Sequence, residues 1–234
     1  MSDADRAARA EELLARRDDL YALVFHDLRN PLNTISMSLA LLADDVPQSG
    51  KDTIARIKRA VDKMEKLMRD ITELTRLEAG QVKFEPVSLG VADVLKHAYD
   101  PFAQRIADRA INLESGAVDP ALRFSIERER FNQALSAMID NAIRHVPDGG
   151  TVKLDVAERG DLVEISVHDS GPGISAEDQQ TVFTRHHRVN KKRGHGLGLG
   201  LAIAAHIAEL HGGSVGVASE VGKGSTFYLR VKKA

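Results

Sequence analysis

Phe25-His26-Asp27-Leu28-Arg29-Asn30-Pro31-Leu32 near one end of the chain, and Asp169-Ser170-Gly171-Pro172-Gly173 with Gly196-Leu197-Gly198-Leu199-Gly200-Leu201 near the other, decide how this sequence is read. The first sets a histidine and an acidic neighbour inside an apolar repeat. The second and third are glycine-punctuated turns through which backbone can approach a bound anion closely. A nucleophile and a nucleotide pocket in one polypeptide are what phosphoryl transfer onto imidazole requires.

Working outward from His26, residues from about 5 to 44 contain no glycine and Pro31 as their one proline. Leu14, Tyr21, Phe25, Leu28, Leu32, Ile35, Leu39 and Leu42 recur at spacings of seven and then of four and three, a coiled-coil seam. Val46-Pro47-Gln48-Ser49-Gly50 breaks this helix, and a second is expected from near Asp52, with Ile54, Ile57, Val61, Met64, Met68 and Ile71 along one stripe. Two such helices make an antiparallel hairpin. A lone hairpin leaves so long a seam uncovered, so a homodimer closing a four-helix bundle is expected; the alternative is a hairpin packed on the rest of its own chain.

His26 lies one position off the seam and is therefore presented outward beside Asp27. An imidazole nitrogen attacks a phosphoryl group well when the proton on the other nitrogen is held or removed, and Asp27 is the candidate base. Asn30, one turn on, shares the face of His26 and can position a water or a phosphoryl oxygen. Pro31 deletes a backbone bond at the histidine, at a cost of about 3 kcal/mol. A surface histidine on a charged helix face is the plainer alternative.

The composition bounds the partners. Lys+Arg 32 against Asp+Glu 34 gives a formal net charge of −2, so no global field draws the chain to nucleic acid or to an anionic membrane. There is no cysteine, which excludes disulfides and thiolate metal sites and fits the cytoplasm. No apolar run reaches the roughly 18 residues that span a bilayer. The first residues read like the middle of a linker, so a sensor domain upstream is possible.

After Glu78-Ala79-Gly80 the pattern changes, and a domain boundary is placed there, giving domains of about 1–80 and 81–234. Val82, Phe84, Val87 and Leu89 alternate around Pro86 as short strand pieces. Beyond them the expected order is a helix over about 90–108, a strand over 122–127, a helix over 130–145, strands over 151–158 and 162–169, a long irregular loop, a helix over 201–211 and strands around 214–218 and 225–231. Without a regular βαβ repeat, the fold class is α+β: a mixed sheet with helices on one face.

On the helix ending at His145, Phe131, Leu135, Met138, Ile139 and Ala142 are expected to be buried, while Ala137, Asn141, Arg144 and His145 share the other side. An Asn141 oxygen suits a magnesium ion that also takes phosphate oxygens, with Arg144 in reach of the phosphates. Asp169 ends an apolar strand above Gly171 and Gly173, where a carboxylate can accept the exocyclic amine of adenine. Gly196, Gly198 and Gly200 open the next helix as an anion site. Arg185-His186-His187-Arg188 and Lys191-Lys192-Arg193 lie between these turns and read as a lid, or more plainly as a solvated charge run. Zinc held by His186, His187 and His195 is disfavoured on so glycine-rich a scaffold.

Together and in order these segments resemble the sensor histidine kinases of bacterial two-component systems. His26 to Leu32 looks like the H box, Asn141 to His145 the N box, Asp169 to Gly173 the first glycine box, Val182-Phe183 to Arg188 the F box, Gly196 to Leu201 the second glycine box and Gly222 to Phe227 the closing one. The resemblance implies a helical-hairpin dimerisation and phosphoacceptor domain, followed by an ATP-binding α/β sandwich of the Bergerat type shared with gyrase and MutL. It implies autophosphorylation of His26 from Mg-ATP, with Asp27 as base, and transfer to an aspartate in the receiver domain of a response regulator. Asp27 with Asn30 further suggests phosphatase activity toward that regulator. It also implies ATP contacts from Asn141, Arg144, His145, Asp169, Gly171, Gly173, Arg188, Gly196, Gly198 and Gly200. Two positions depart from the pattern: Ala137 stands where the family often has a first asparagine, and His145 replaces a commoner aromatic.

Two other readings stay open. One is a dimeric scaffold with a vestigial nucleotide site. The other is an ATPase of the gyrase and MutL type, which needs a carboxylate near position 137.

Overall fold

The structure, a computed structural model, describes residues 24–25, 28–42, 46–185 and 198–234. The chain divides into two units, Met1–Gln81 and Val82–Ala234.

In the first unit, helix α1 covers 28–42, with 24–25 helical ahead of it, and α2 is Gln48–Glu78. They pack through Leu32, Leu39, Val61 and Met68, with Phe25 and Ile54 against that cluster. These six residues occupy one position per heptad on each helix. The alternate seam position stays outside: Leu28 and Ile35 are 41% exposed, Leu42 51%, Ile57 42% and Met64 48%. Leu14 and Tyr21, expected in the same seam, lie outside the described residues.

Helix α2 starts at Gln48, earlier than the expected Asp52. The Pro47 carbonyl accepts the N–H groups of Gly50 at 2.8 Å and Lys51 at 3.3 Å. A proline before the first turn sacrifices no helical bond, because the leading amides lack partners there in any case. The helix closes at Gly80, where the Gln81 N–H donates back to the Arg76 carbonyl at 3.0 Å.

The second unit is a mixed sheet with helices packed on one face. Its central sheet runs β2 (Asn112–Ser115), β4 (Thr151–Arg159), β5 (Leu162–Asp169), β7 (Gly224–Lys232), β6 (Ser214–Glu220). Strand β2 is parallel to β4, and the other pairs are antiparallel. Strands β1 (Val87–Gly90) and β3 (Arg123–Ile126) form a separate antiparallel pair. Helices α5 (Arg128–His145) and α7 (Gly200–Leu210) supply the apolar layer. Phe131, Leu135, Met138, Ile139 and Ala142 are buried as expected, with Val163, Ile165 and Val167 of β5 and Phe227, Leu229 and Val231 of β7. The period-two alternation of β5 makes this possible. Glu164, on its other face, is buried too and is held by Arg230 at 2.6 Å and Arg159 at 3.2 Å.

Several expectations are corrected. The helix over 90–108 is broken into α3 (Val91–Leu95), a 3-10 turn (Asp100–Phe102) and α4 (Ala103–Asp108). Pro101 has no N–H, and its ring clashes with the carbonyl one turn back. Val82 and Phe84 are not strand; β1 begins only after Pro86. Phe84 instead sets its ring edge-on to His211 at 4.8 Å. Strand β2 was not expected: it is a four-residue, exposed edge strand with no apolar alternation to announce it. The loop after Asp169 also contains a short helix, α6 (Ala176–Gln179), capped by the Ser175 hydroxyl.

Candidate functional site

Strand β5 is the middle of the sheet, and Asp169 is its last residue, in register with Val152 on β4 and Ser225 on β7. Only 2% of it is exposed. Its Oδ1 accepts the Gly171 N–H at 2.8 Å. Burial pushes its pKa above the usual carboxylate range, while the Gly171 and Ser225 backbones and His168 pull the other way. A buried carboxylate, with about four lone-pair sites on its two oxygens, suits a further polar N–H group of a ligand.

The turn that follows is shaped by close approach. A Cβ on Gly171 would fall 2.5 Å from Asp169 Oδ1 and 3.2 Å from the His145 carbonyl oxygen. Gly173 has φ +72, and a Cβ there would lie 2.1 Å from the Glu220 carbonyl oxygen. The glycines thus let one turn nestle between the end of α5 and the β6–β7 turn. The Gly222 N–H donates to the Pro172 carbonyl at 2.7 Å, and Ser170 pairs with Thr151 through its own N–H at 3.0 Å and its Oγ at 2.9 Å.

Helix α5 brings Asn141 and His145 to the same end, Asn141 half-buried and His145 exposed. Arg144 instead pairs with Asp140, which Arg105 also holds. Sequence reading missed Arg109: its guanidinium donates to the carbonyls of Ile143 and Val146 and to Asp148 at 2.6 Å, closing the end of α5. No local pattern could announce contacts 34 to 39 residues apart. His211 ties α7 to α5, its Nδ1–H donating to the Ile207 carbonyl at 2.7 Å while Nε2 accepts the Glu127 N–H at 3.0 Å. That pairing assigns the neutral tautomer, and burial pushes its pKa down.

Gly200 is the first residue of α7, preceded by Gly198 at φ +69. A Cβ on Gly200 would stand 3.4 Å from the Cβ of Ala137, so Ala137 lies at a close approach of the two helices. Phe183 packs edge-on to Phe227 at 6.1 Å. Arg188, Gly196 and the three histidines considered for zinc lie outside the described residues, as do His26 and Asp27. Asn30 is exposed on α1, its carbonyl accepting the Thr34 hydroxyl at 3.1 Å.

The structure therefore brings together Asp169, Gly171, Gly173 and the His145 carbonyl, with Asn141 one turn earlier on α5. Among the described residues no group of three or more His, Asp or Glu could hold a metal ion alone. An Asn141 amide fits a cation that brings its own phosphate oxygens. Among the described residues no helix is long and apolar enough to cross a membrane.

Two family models match the chain: His Kinase A (phospho-acceptor) domain over residues 16–80, and Histidine kinase-, DNA gyrase B-, and HSP90-like ATPase over 126–234. Sensor histidine kinase ZraS of Klebsiella oxytoca is 33% identical over 94% of this chain and 49% of its own length. Among solved structures, full-length ShkA in complex with AMPPNP matches 92% of this chain and 46% of that one, with TM-score 0.81 and 24% identity. Histidine kinase ThkA in complex with response regulator protein TrrA matches 99% of this chain and 66% of that one, with TM-score 0.66 and 22% identity. The chain spans between 36% and 61% of the first curated relatives it matches. With a phospho-acceptor helical region followed by an ATPase-like α/β domain, the chain belongs to the bacterial sensor histidine kinases.

Proposed function

We propose that this chain is a sensor histidine kinase core that binds ATP, phosphorylates itself on His26 and passes the phosphoryl group to an aspartate of a response-regulator receiver domain. Residues 1–80 are the dimerisation and phosphotransfer domain, and 81–234 the catalytic domain. The observation that carries the reading is the buried Asp169 carboxylate above the Gly171–Gly173 turn. It accepts the adenine amine, and the glycine backbone lies against the ring. The AMPPNP bound by ShkA and the response regulator TrrA bound by ThkA support the same assignments here.

In the reaction, a His26 nitrogen attacks the γ-phosphorus. A P–N bond forms, the bond to the β–γ bridging oxygen breaks, and ADP leaves. Asp27 takes the proton of the other ring nitrogen, so the imidazole stays a competent nucleophile. Asn141 would hold Mg²⁺, which would neutralise phosphate charge. Gly198, Gly200 and Gly196 present backbone to the phosphates, and Arg188 and Arg144 supply cations nearby. In the second step the P–N bond breaks as an aspartate oxygen of the regulator takes the phosphoryl group. In a separate phosphatase reaction Asn30 orients a water that attacks the regulator's aspartyl phosphate, breaking its P–O bond and releasing inorganic phosphate.

The uncovered seam residues Leu28, Ile35, Leu42, Ile57 and Met64 support a homodimer in which two hairpins complete a four-helix bundle. The need for ATP places the activity in the cytoplasm. Incubation with Mg²⁺ and γ-labelled ATP tests the whole: acid-labile label on the wild-type chain is expected. Steady hydrolysis without phosphohistidine would overturn it in favour of a gyrase-type ATPase, and no turnover would favour a scaffold.

A further inference from the structure

The turn that carries Gly171 and Gly173 ends at Ile174, and both polar groups of that peptide are taken by side chains. The Ile174 N–H donates to Ser219 Oγ at 2.8 Å, and the Ile174 carbonyl accepts Gln179 Nε2 at 3.0 Å. The same Gln179 nitrogen donates to the Ser219 carbonyl at 3.0 Å. Ser219 Oγ passes its own proton to the Gly224 carbonyl at 2.8 Å and lies 3.0 Å from Ser225 Oγ, which is left as the donor to it. Ser225 in turn belongs to the backbone that faces Asp169. One serine hydroxyl, fully used, thus joins the far end of the glycine turn to the strand that borders the carboxylate.

We infer that Ser219 and Gln179 are positioning residues for nucleotide binding: they clamp Ile174 so that the Asp169 carboxylate and the Gly171–Gly173 backbone stay in one register. The inference rests on the ATP reading above. The near end of the turn is held by the Asp169–Gly171 bond and the middle by Gly222 on Pro172. Without the clamp, neither polar group of Ile174 is tied to the strand that borders the carboxylate. A turn free to sample other conformations binds in proportion to the fraction that is competent.

Ser219→Ala, Ser219→Thr, Gln179→Ala and Gln179→Glu in the full chain test this. Calorimetric titration with Mg-ATP should give about tenfold weaker binding for Ser219→Ala and Gln179→Ala, each removing one of the two hydrogen bonds that hold Ile174, a loss worth about that factor. Ser219→Thr keeps the hydroxyl and should restore affinity; Gln179→Glu keeps the shape but cannot donate and should not. The KM for ATP in autophosphorylation should rise with kcat unchanged, because neither residue approaches the γ-phosphate chemistry. Amide exchange at Ile174 should speed up in Ser219→Ala without nucleotide. Unchanged affinity and KM in both alanine variants, with the Ile174 amide deprotected, would overturn the positioning role while leaving the ATP reading intact. Wild-type chain that bound no ATP would overturn both.

Discussion

The two units of this chain solve the burial problem differently. The α/β unit completes its core within one chain, with Phe131, Met138, Ile165, Phe227 and Ile207 all sealed between α5, α7 and the sheet. The hairpin buries Leu32, Leu39, Val61 and Met68 with Phe25 and Ile54 against them, but leaves Leu28, Ile35, Leu42, Ile57 and Met64 exposed. Each exposed Leu, Ile or Met forgoes up to about 1.5–3 kcal/mol of burial. The first unit leaves apolar surface that the proposed dimer would cover while the core of the second is closed, so association and nucleotide binding can be disturbed separately.

The sharpest test of that separation is His26→Ala, which should abolish acid-labile label from γ-labelled ATP while calorimetry gives the wild-type affinity for ATP. Loss of both together would break the division. Next, Ile35→Asp with Met64→Asp should convert the dimer to monomer by sedimentation, since charges replace two seam residues, while the melting of the 82–234 unit stays unchanged.

Asp169→Asn acts on the other unit and should weaken ATP binding by about 10- to 100-fold, the worth of a charged hydrogen bond of about 1.5–3 kcal/mol, without altering the oligomer. Burial raises the folded pKa of Asp169, so the folded state favours the protonated form, and this stability is present at low pH and lost as pH rises through the raised pKa. The variant without nucleotide should therefore melt higher than wild type at neutral pH, with the gap closing as pH falls toward about 4. His211 has the opposite sign: its folded pKa is lowered, so its contribution fades as pH falls below about 6.5, in the variant and wild type alike. The smallest effect is expected from Ala110→Gly. Ala110 holds φ +48, which costs a residue with a Cβ about 1 kcal/mol, so glycine should raise the melting temperature of the second unit by a few degrees.

Long periodic elements were legible because their signal is local and repeated. The apolar face of α5 and the alternation of β5 announced which side would be buried, while of the described seam residues only Leu32, Leu39, Val61 and Met68 are buried. Short or interrupted elements were not. Strand β2 exists because β4 offers it a parallel partner, and the 90–108 stretch breaks because one proline outweighs a helical pattern. At the site, Asp169, Gly171 and Gly173 stood out as a contiguous motif. Arg109, Gln179 and Ser219 did not, because each acts through backbone groups distant in sequence or hidden in a turn.

By itself the sequence singled out the candidate residues for the chemistry and the apolar faces, since both depend on side-chain type and spacing. Only the tertiary structure decided which backbone carbonyls and amides those side chains satisfy. It set Arg144 on Asp140, fitted Ala137 against Gly200, and fastened Ile174 through Ser219 and Gln179. The bond from the Ile174 N–H to Ser219 joins groups 45 residues apart, and it exists because the packed sheet brings those two turns within 2.8 Å of one another.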